Sequence, residues 1–211
     1  MRRWIGGLVL AAGIVLSAGP DSDDARASTF VGRVQGSDAY IAVLKDGRRI
    51  AGYVCDNGSV SRWIGSSRLR DGIAPLRAGT TGELLGRVRI DDQLATGTIE
   101  VGGRERRFRA RRVREQDAGL HFAIGKQTNR LLVGGWILLP DGTQRGAVAG
   151  VDMQKLRPLA TSKAPRLDPN ASTVQLGGDT DVPPAETEPQ QLGVIDIIAI
   201  LIALLIPAVQ K

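Results

Sequence analysis

The sequence predicts an all-β fold, an antiparallel meander that forms a small barrel or a two-sheet sandwich, with an N-terminal signal helix and a C-terminal hydrophobic helix. The first observation is a series of short runs of strand-forming residues, separated by turn sequences such as Asp-Gly and Asp-Asn-Gly. The second is the composition, since 27 glycines and an aromatic content of 4% favour tight turns over long helices. The apolar content of 42% suits one globular domain with appendages.

The most clearly predicted element is a β-hairpin over Ala39 to Asp56. Two apolar runs flank Asp46-Gly47, and this dipeptide favours a two-residue hairpin turn. A first strand, Thr29 to Gln35, precedes the hairpin, and Ser59 to Gly65 is expected to form a single helical turn. The remaining strands are predicted, in chain order, over Gly72–Arg77, Glu83–Ile90, Leu94–Val101, Arg104–Arg114, Gly119–Ile124, Leu131–Leu139 and Gln144–Val151.

The connections between these strands predict how they are arranged. Because short turns join them, sequential strands are expected to pair antiparallel, and a meander of this length curls into a barrel or two packed sheets. Glycine inside several strands predicts strong curvature or close packing of strands. Residues 28–156 are therefore predicted to be one antiparallel β-domain.

Residues 1–27 have the pattern of a secretory signal peptide. Arg2 and Arg3 precede an apolar run, Trp4 to Leu16, and small residues follow. The alternative is an uncleaved membrane helix, although this run is shorter than the roughly 20 residues that span a bilayer. Both alternatives predict export, with the β-domain outside the cytoplasm at the cell envelope.

The chain after the β-domain divides into a linker and an apolar segment. Residues 157–191 contain six of the ten prolines and several acids, which predicts a Pro-rich acidic linker. Residues 192–211 are predicted to form a transmembrane helix, because 192–209 are apolar except for Asp196. Eighteen helical residues would span about 27 Å, enough for a hydrocarbon core. The membrane is therefore an expected partner of this segment.

Two resemblances agree with these boundaries. Ile197 to Gln210, IIAILIALLIPAVQ, resembles the N-terminal helical segment of the type IV pilin-like proteins of planctomycetes. In pilins a Gly-Phe processing site and a glutamate belong to this motif, whereas here Gln190 stands at the glutamate position, so the resemblance implies a membrane-inserting helix. The body resembles small exported bacterial β-domains of unassigned activity through Phe30–Val34, Ala39–Val43, Gly52–Gly58 and Gly134–Gly146.

The residue types that usually carry catalysis or bind metals are scarce. Cys55 is the single cysteine, so neither an intrachain disulfide nor a cysteine-based zinc site can form, and it is expected to be buried or to pair with another chain. His121 is the single histidine and is expected to be a half-buried or surface residue of a strand. Aspartates recur at the predicted turns. Because turn geometry itself favours aspartate, these residues are interpreted as turn residues rather than as ligands of a calcium site. We therefore expect no cofactor and no enzymatic activity.

The charge pattern gives the one candidate binding site. Residues 28–158 contain 22 basic and 13 acidic residues, a net charge of +9, and seven arginines lie within Arg104–Arg114. Strand alternation places Arg107, Arg109 and Arg111 on one face. These arginines are interpreted either as protection of an edge strand or as an anion-binding stripe for acidic glycans, phospholipid head groups or extracellular nucleic acid.

A dedicated nucleic-acid site is not expected, because Phe108 is the single residue of this run that could stack on a base. The sequence thus predicts an exported, membrane-tethered β-domain with a binding or structural role at the cell envelope. Two alternatives are a pseudopilin-like component of a secretion or filament system and a hydrolase of envelope polymers that uses turn aspartates.

Overall fold

The structure is a computed structural model that describes residues 28–113, 118–155, 157–168, 170–171, 173–176, 181–182 and 185–186. These residues form strands and turns, and none of them lies in a helix. The eleven longer strands are β1 Ser28–Val34, β2 Tyr40–Asp46, β3 Arg49–Cys55, β4 Ser61–Arg68, β5 Ile73–Arg77, β6 Leu84–Ile90, β7 Leu94–Val101, β8 Arg104–Val113, β9 Gly119–Gln127, β10 Arg130–Leu138 and β11 Gln144–Asp152. Five two-residue strands follow: β12 Arg157–Pro158, β13 Ser162–Lys163, β14 Val174–Gln175, β15 Asp181–Val182 and β16 Ala185–Glu186.

The first eight strands form one antiparallel sheet that closes almost completely into a barrel. Their order is β4-β3-β2-β1-β8-β7-β6-β5, so the sheet is a meander apart from the pairing of β1 with β8. The two end strands, β4 and β5, meet at a bridge between Ile64 and Ala78, and the Gly79 N–H donates to the Trp63 carbonyl at 2.8 Å. The predicted all-β class and the barrel-like arrangement are confirmed.

The interior of the barrel is filled by apolar side chains from all eight strands. These buried residues include Phe30, Ile41, Val43, Ile50, Ile64, Leu76, Val88, Ile99, Phe108 and Ala110. Inward-facing glycines let the strands bend around this core. A Cβ on Gly97 would clash with the carbonyl oxygen of Arg87, and a Cβ on Gly32 would clash with that of Arg109. Glycine inside the strands therefore permits the close approach that the sequence predicted.

A second sheet packs against one side of the barrel. Its order is β12-β11-β10-β9-β16, and β13 pairs with β11. The interface buries Tyr53 and Trp63 of the barrel against Phe122, Val133 and Ile137 of the second sheet. Strands β2 and β3 are consequently buried on both faces, in the predicted hairpin. By contrast, much of β6, β7 and β8 alternates between buried residues that face the barrel interior and at least partly exposed residues on the outer face.

The far side of the second sheet is covered by chain that follows residue 156. Trp136 is fully buried there, and its Nε1–H donates to the Pro165 carbonyl at 2.8 Å. Leu167 and Leu176 are buried in the same apolar cluster. Part of the range predicted as a linker, 157–168 and 173–176, thus packs on the β-domain.

Two local predictions were wrong. Ser59 to Gly65 was expected to form a single helical turn. Instead, Ser61–Arg68 is strand β4, which pairs with β3 across a register shift between Ile50 and Gly52. The hairpin turn lies one residue later than predicted, because Asp46 pairs with Arg49 and the loop is Gly47-Arg48. Gly47 has φ of +53°, the backbone region that a two-residue hairpin loop requires.

The predicted signal peptide, 1–27, and the predicted transmembrane helix, 192–211, lie outside the described residues. Within the described residues, no helix is long and apolar enough to cross a membrane.

Candidate anion-binding surface

Strand β8, which carries the arginine-rich run, is an internal strand of the barrel. It pairs with β1 from Thr29–Val113 to Val34–Phe108 and with β7 from Leu94–Arg111 to Val101–Arg104. The interpretation that its arginines protect a sheet edge was therefore wrong. Sequence could not show this, since β1 precedes β8 by about seventy residues and adjacent strands are the expected partners.

The alternation predicted for β8 is confirmed. Phe108 and Ala110 point into the barrel and are 2% and 0% exposed, whereas Arg107, Arg109 and Arg111 are exposed on the outer face. Arg106 and Arg112 share the inner parity but are only half-buried. The Arg106 guanidinium donates to the Gly36 carbonyl, and that of Arg112 donates to the Asp92 carbonyl at 3.4 Å. Long arginine side chains can thus leave the core near the ends of a strand.

Strand pairing brings two further arginines next to those of β8. In one row across the barrel, Thr98 of β7 lies between Arg87 of β6 and Arg107 of β8. In the next row, Thr96 lies between Arg89 and Arg109. We call the seven outward residues of this surface the arginine strip: Arg87, Arg89, Thr96, Thr98, Arg107, Arg109 and Arg111.

The spacing of the arginine strip follows from strand geometry. Neighbouring strands lie about 4.8 Å apart, so the two arginines of one row are separated by roughly 9.6 Å at their Cα atoms. Successive outward residues of one strand are about 6.8 Å apart, which sets the distance between rows. All five arginines are exposed, and the threonines between them are half-buried. The strip is therefore a regular array of guanidinium groups with short hydroxyl side chains between them.

The arginine strip is a concentration of positive charge. Among the described residues, none of its five arginines has a carboxylate within ion-pair distance. Like charges separated by roughly 7 to 10 Å in water repel by about 0.4–0.6 kcal/mol per pair, so an anion bound between them relieves several such terms. Glu100 and Glu105 lie opposite each other on β7 and β8, and they border the strip on one side.

Arg33 extends the second row onto β1 but has another role. It lies opposite Arg109, and its guanidinium pairs with the Asp141 carboxylate of the second sheet at 3.0 Å. The guanidinium groups of Arg33 and Arg145 lie over the ring of Tyr40, and their Cζ atoms are 5.4 and 4.9 Å from the ring centre. The Tyr40 hydroxyl also donates to Thr143 at 3.0 Å. This group of contacts joins the second sheet to the barrel at the margin of the strip.

The other predicted candidates lie apart from the strip. Cys55 is a free thiol, fully buried between the barrel and the second sheet, and burial raises its pKa far above the ordinary range. It is therefore a neutral packing residue, the first of the two predicted alternatives. His121, expected to be half-buried or on the surface, is 4% exposed and pairs in register with Trp136 and Glu186. Neither residue reaches the strip.

The turn aspartates hold their own loops. The Asp56 carboxylate accepts from the Gly58 and Val60 N–H groups at 2.9 and 2.8 Å and from the Ser59 hydroxyl at 2.6 Å. Partial burial would raise the pKa of Asp56, but these hydrogen bonds outweigh burial and lower it. Asp141 and Asp152 likewise have lowered pKa values, mainly from hydrogen bonds of Thr143 and of the Lys155 N–H. No group of three potential metal ligands occurs among the described residues.

A separate cleft of about 300 Å³ lies between the barrel seam and the second sheet. Its lining includes Trp63, Ala78, Leu159, Thr80 and Glu83. Among the described residues that line the cleft, no nucleophile is paired with a base and Arg62 is the one basic residue, so the cleft lacks the charge density of the arginine strip.

Sequence reasoning named Arg107, Arg109 and Arg111 but missed Arg87, Arg89, Thr96 and Thr98. The alternation of Leu85 to Ile90 and of Ala95 to Ile99 placed these four on one face of each strand, but only the pairing of β6, β7 and β8 brings them together. Comparison of the chain with known protein families, curated proteins and solved structures finds no match. The chemistry of the strip is therefore the basis for a functional proposal.

Proposed function

We propose that this chain is an exported, membrane-tethered β-domain that acts as a binding module at the cell envelope and holds an anionic ligand on the arginine strip. The observation that carries the proposal is the array of five exposed arginines, unpaired with carboxylates of the described residues, on three adjacent strands. The signal peptide and the C-terminal helix of the proposal are supported by the sequence pattern of residues 1–27 and 192–211.

Arginine suits this role because its planar guanidinium donates two parallel hydrogen bonds to a carboxylate, phosphate or sulfate group. The threonine hydroxyls between the arginines add neutral donors and acceptors. A ligand that contacts both rows would meet at least four guanidinium groups, so weak individual contacts add up.

The strip is also rigid at its base. Strand β7 is hydrogen-bonded to β6 on one side and β8 on the other, and Ile99 and Phe108 anchor these strands in the core. Because the backbone of the array is already ordered, binding costs little conformational entropy of the backbone, which favours affinity for a ligand. This arrangement supports a binding role rather than a catalytic one.

The proposal is tested by reversing the charge of β8. The full chain, purified in a non-ionic detergent, is titrated with three anionic probes: polygalacturonate, polyphosphate and vesicles that contain phosphatidylglycerol. The triple variant Arg107→Glu, Arg109→Glu and Arg111→Glu should weaken binding of at least one probe by about tenfold or more, since each exposed ion pair contributes up to about 1 kcal/mol.

The matched control carries the same change of charge elsewhere. Arg48, Arg68 and Arg70 are exposed and lie outside the strip. Their replacement by Glu should leave most of the affinity. Equal losses in the two variants would mean that net charge alone attracts the probes, and the proposal of a dedicated surface would then be rejected.

A further inference from the structure

We infer that the ligand of the arginine strip is a linear acidic polysaccharide whose chain crosses strands β6, β7 and β8 along the two Arg–Thr–Arg rows. This inference rests on the proposed function and specifies the class of anion. It follows from the order of side chains within a row, from the acids that border the strip, and from the curvature and composition of the surface.

Each row alternates charged and neutral groups. Arg87, Thr98 and Arg107 follow one another across three strands, at intervals of about 4.8 Å. Acidic polysaccharides present carboxylate or sulfate groups together with neutral hydroxyls along one chain. In this orientation the anionic groups meet arginine, and the sugar hydroxyls between them meet threonine. A polymer whose every unit carries only phosphate would accept hydrogen bonds from the threonine hydroxyls but would offer them no donor, whereas sugar hydroxyls do both.

The acids give the direction of the chain. Glu100 and Glu105 lie next to the first row along β7 and β8, so a polyanion running parallel to these strands would pass over two carboxylates. A chain that crosses the strands avoids them. Beyond Arg109 the second row reaches Arg33 of β1, whose charge is offset by Asp141, so the row ends at β8. The row direction is therefore the one with the most favourable electrostatics.

The surface chemistry distinguishes a polysaccharide from a nucleic acid. Binding of single-stranded nucleic acid generally uses aromatic side chains on which the bases stack. The strip presents none, since Phe108 points into the barrel and is 2% exposed. Its affinity must come from charge and hydrogen bonds, which suits a polymer without stacking bases.

The shape and polarity of the strip also argue against a bilayer. The rows follow the outer, convex side of a nearly closed barrel, and a flat membrane would contact only part of them, whereas a flexible polymer can follow the curve. Ile73, 38% exposed, is the one large exposed apolar residue in register with a row, opposite Arg89. A single aliphatic side chain adds little apolar area, compared with the broad apolar face of surface-bound membrane segments.

The test measures how affinity depends on ligand length and on the threonines. The full chain in non-ionic detergent is titrated by calorimetry with oligogalacturonates that contain two, four, eight and twelve sugars, so that each oligomer covers a longer span than the one before. Affinity should rise with length by tenfold or more and then level off once the oligomer spans β6 to β8. A disaccharide that binds as well as the longest oligomer would overturn the inference.

The second variant replaces the threonines by an isosteric residue, Thr96→Val with Thr98→Val. Valine keeps the β-branched shape that suits a strand, and it removes only the hydroxyls. Affinity for the long oligogalacturonate should fall about fivefold for each lost hydrogen bond, since one such bond is worth about 1 kcal/mol. Affinity for polyphosphate should change less. An unchanged affinity for oligogalacturonate would contradict the assigned role of the rows.

Two other probes separate failure of the inference from failure of the proposed function. If phosphatidylglycerol vesicles or a thymidine oligonucleotide bind in a manner that depends on Arg107, Arg109 and Arg111, while oligogalacturonates do not, the strip is an anion site and the polysaccharide assignment is wrong. If no probe depends on these arginines, the proposed function itself is wrong.

Discussion

At the scale of single residues, Asp56 illustrates how a side chain that resembles a functional group serves the fold. Its carboxylate accepts hydrogen bonds from the backbone of Gly58 and Val60 and from the Ser59 hydroxyl, and its pKa is lowered. A carboxyl whose pKa is lower in the folded state stabilises the protein above its unfolded pKa of about 3.9. This stabilisation is lost as the pH falls through the folded pKa.

We therefore expect Asp56→Asn to lower the free energy of unfolding at neutral pH, because the amide is a weaker acceptor than the carboxylate. Urea denaturation at about pH 7 and about pH 3 should show a gap between wild type and variant that narrows in acid, where the Asp56 carboxyl of the unfolded wild-type chain becomes protonated. Asp92→Asn is the control, since the Asp92 carboxylate accepts no hydrogen bond from the described residues. A gap that is constant with pH would contradict the account.

The face of a strand on which a side chain lies could be predicted from the sequence where strand alternation alone determines it. The alternation of β8 assigned Phe108 and Arg109 to opposite faces, because a strand turns successive side chains to opposite faces, and the structure places Phe108 inside the barrel and Arg109 outside it. Prediction from sequence failed for His121, which is buried in a strand whose neighbour on one side, β16, comes from far along the sequence. Exposure of a single strand residue depends on what packs over the sheet, and a local pattern does not contain that information.

At the scale of elements, the segment after β11 shows how few apolar residues are needed to cover an existing sheet. Gln144 holds this segment, because its side-chain amide donates to the Leu167 carbonyl at 3.0 Å and accepts from the Leu167 N–H at 2.8 Å. The sequence predicted a linker here on composition, and composition does not reveal the apolar face that Trp136 and its neighbours offer.

We predict that Gln144→Ala loosens the segment while the barrel remains folded. Loss of both hydrogen bonds should cost about 1–3 kcal/mol locally, because the backbone groups of Leu167 are half-buried and lose their partners. Limited trypsin digestion should cleave after Lys163 and Arg166 several times faster than in the wild type. Gln93→Ala, at an exposed turn of the barrel, serves as control, and equal cleavage of the two variants would contradict the role of Gln144.

Strand positions along the chain were predictable, and strand partners were less so. Turn dipeptides and apolar alternation located β5 to β7 within one or two residues, because both signals are local. The pairing of β1 with β8 closes a long loop, and nothing in either strand indicates the other. This one non-local pairing converts the predicted edge strand into the centre of the arginine strip.

At the scale of the whole molecule, the proposed function joins a folded domain to a membrane anchor. The domain has a net charge of +9 over residues 28–158, whereas residues 159–193 carry −3, from 2 basic and 5 acidic residues. Removal of residues 192–211 should move the protein from the membrane pellet to the soluble fraction on centrifugation of lysed cells. A truncated protein that still sediments with membranes would contradict the anchor, provided that it elutes as a folded species on gel filtration.

The fold class could be predicted from sequence because strands, turns and glycines all indicated the same architecture. The binding surface could be predicted only in part. Arg107, Arg109 and Arg111 belong to one strand and share its face, but Arg87 and Arg89 belong to another strand, and their proximity depends on closure of the barrel. A surface assembled from several strands becomes visible only when their register is known.

The central claim is that these strands form one anion-binding surface, and the contribution of β6 tests it most directly. The measurement is the salt dependence of polygalacturonate binding for the wild type, for Arg87→Gln with Arg89→Gln, and for the control Arg48→Gln with Arg70→Gln. If each strip arginine releases counterions as in other polyanion complexes, the slope of log K against log salt should shrink by about 1.4 in the β6 variant. The control should keep the wild-type slope. A β6 variant that binds with the wild-type slope and affinity would show that β8 acts alone, and it would contradict the strip.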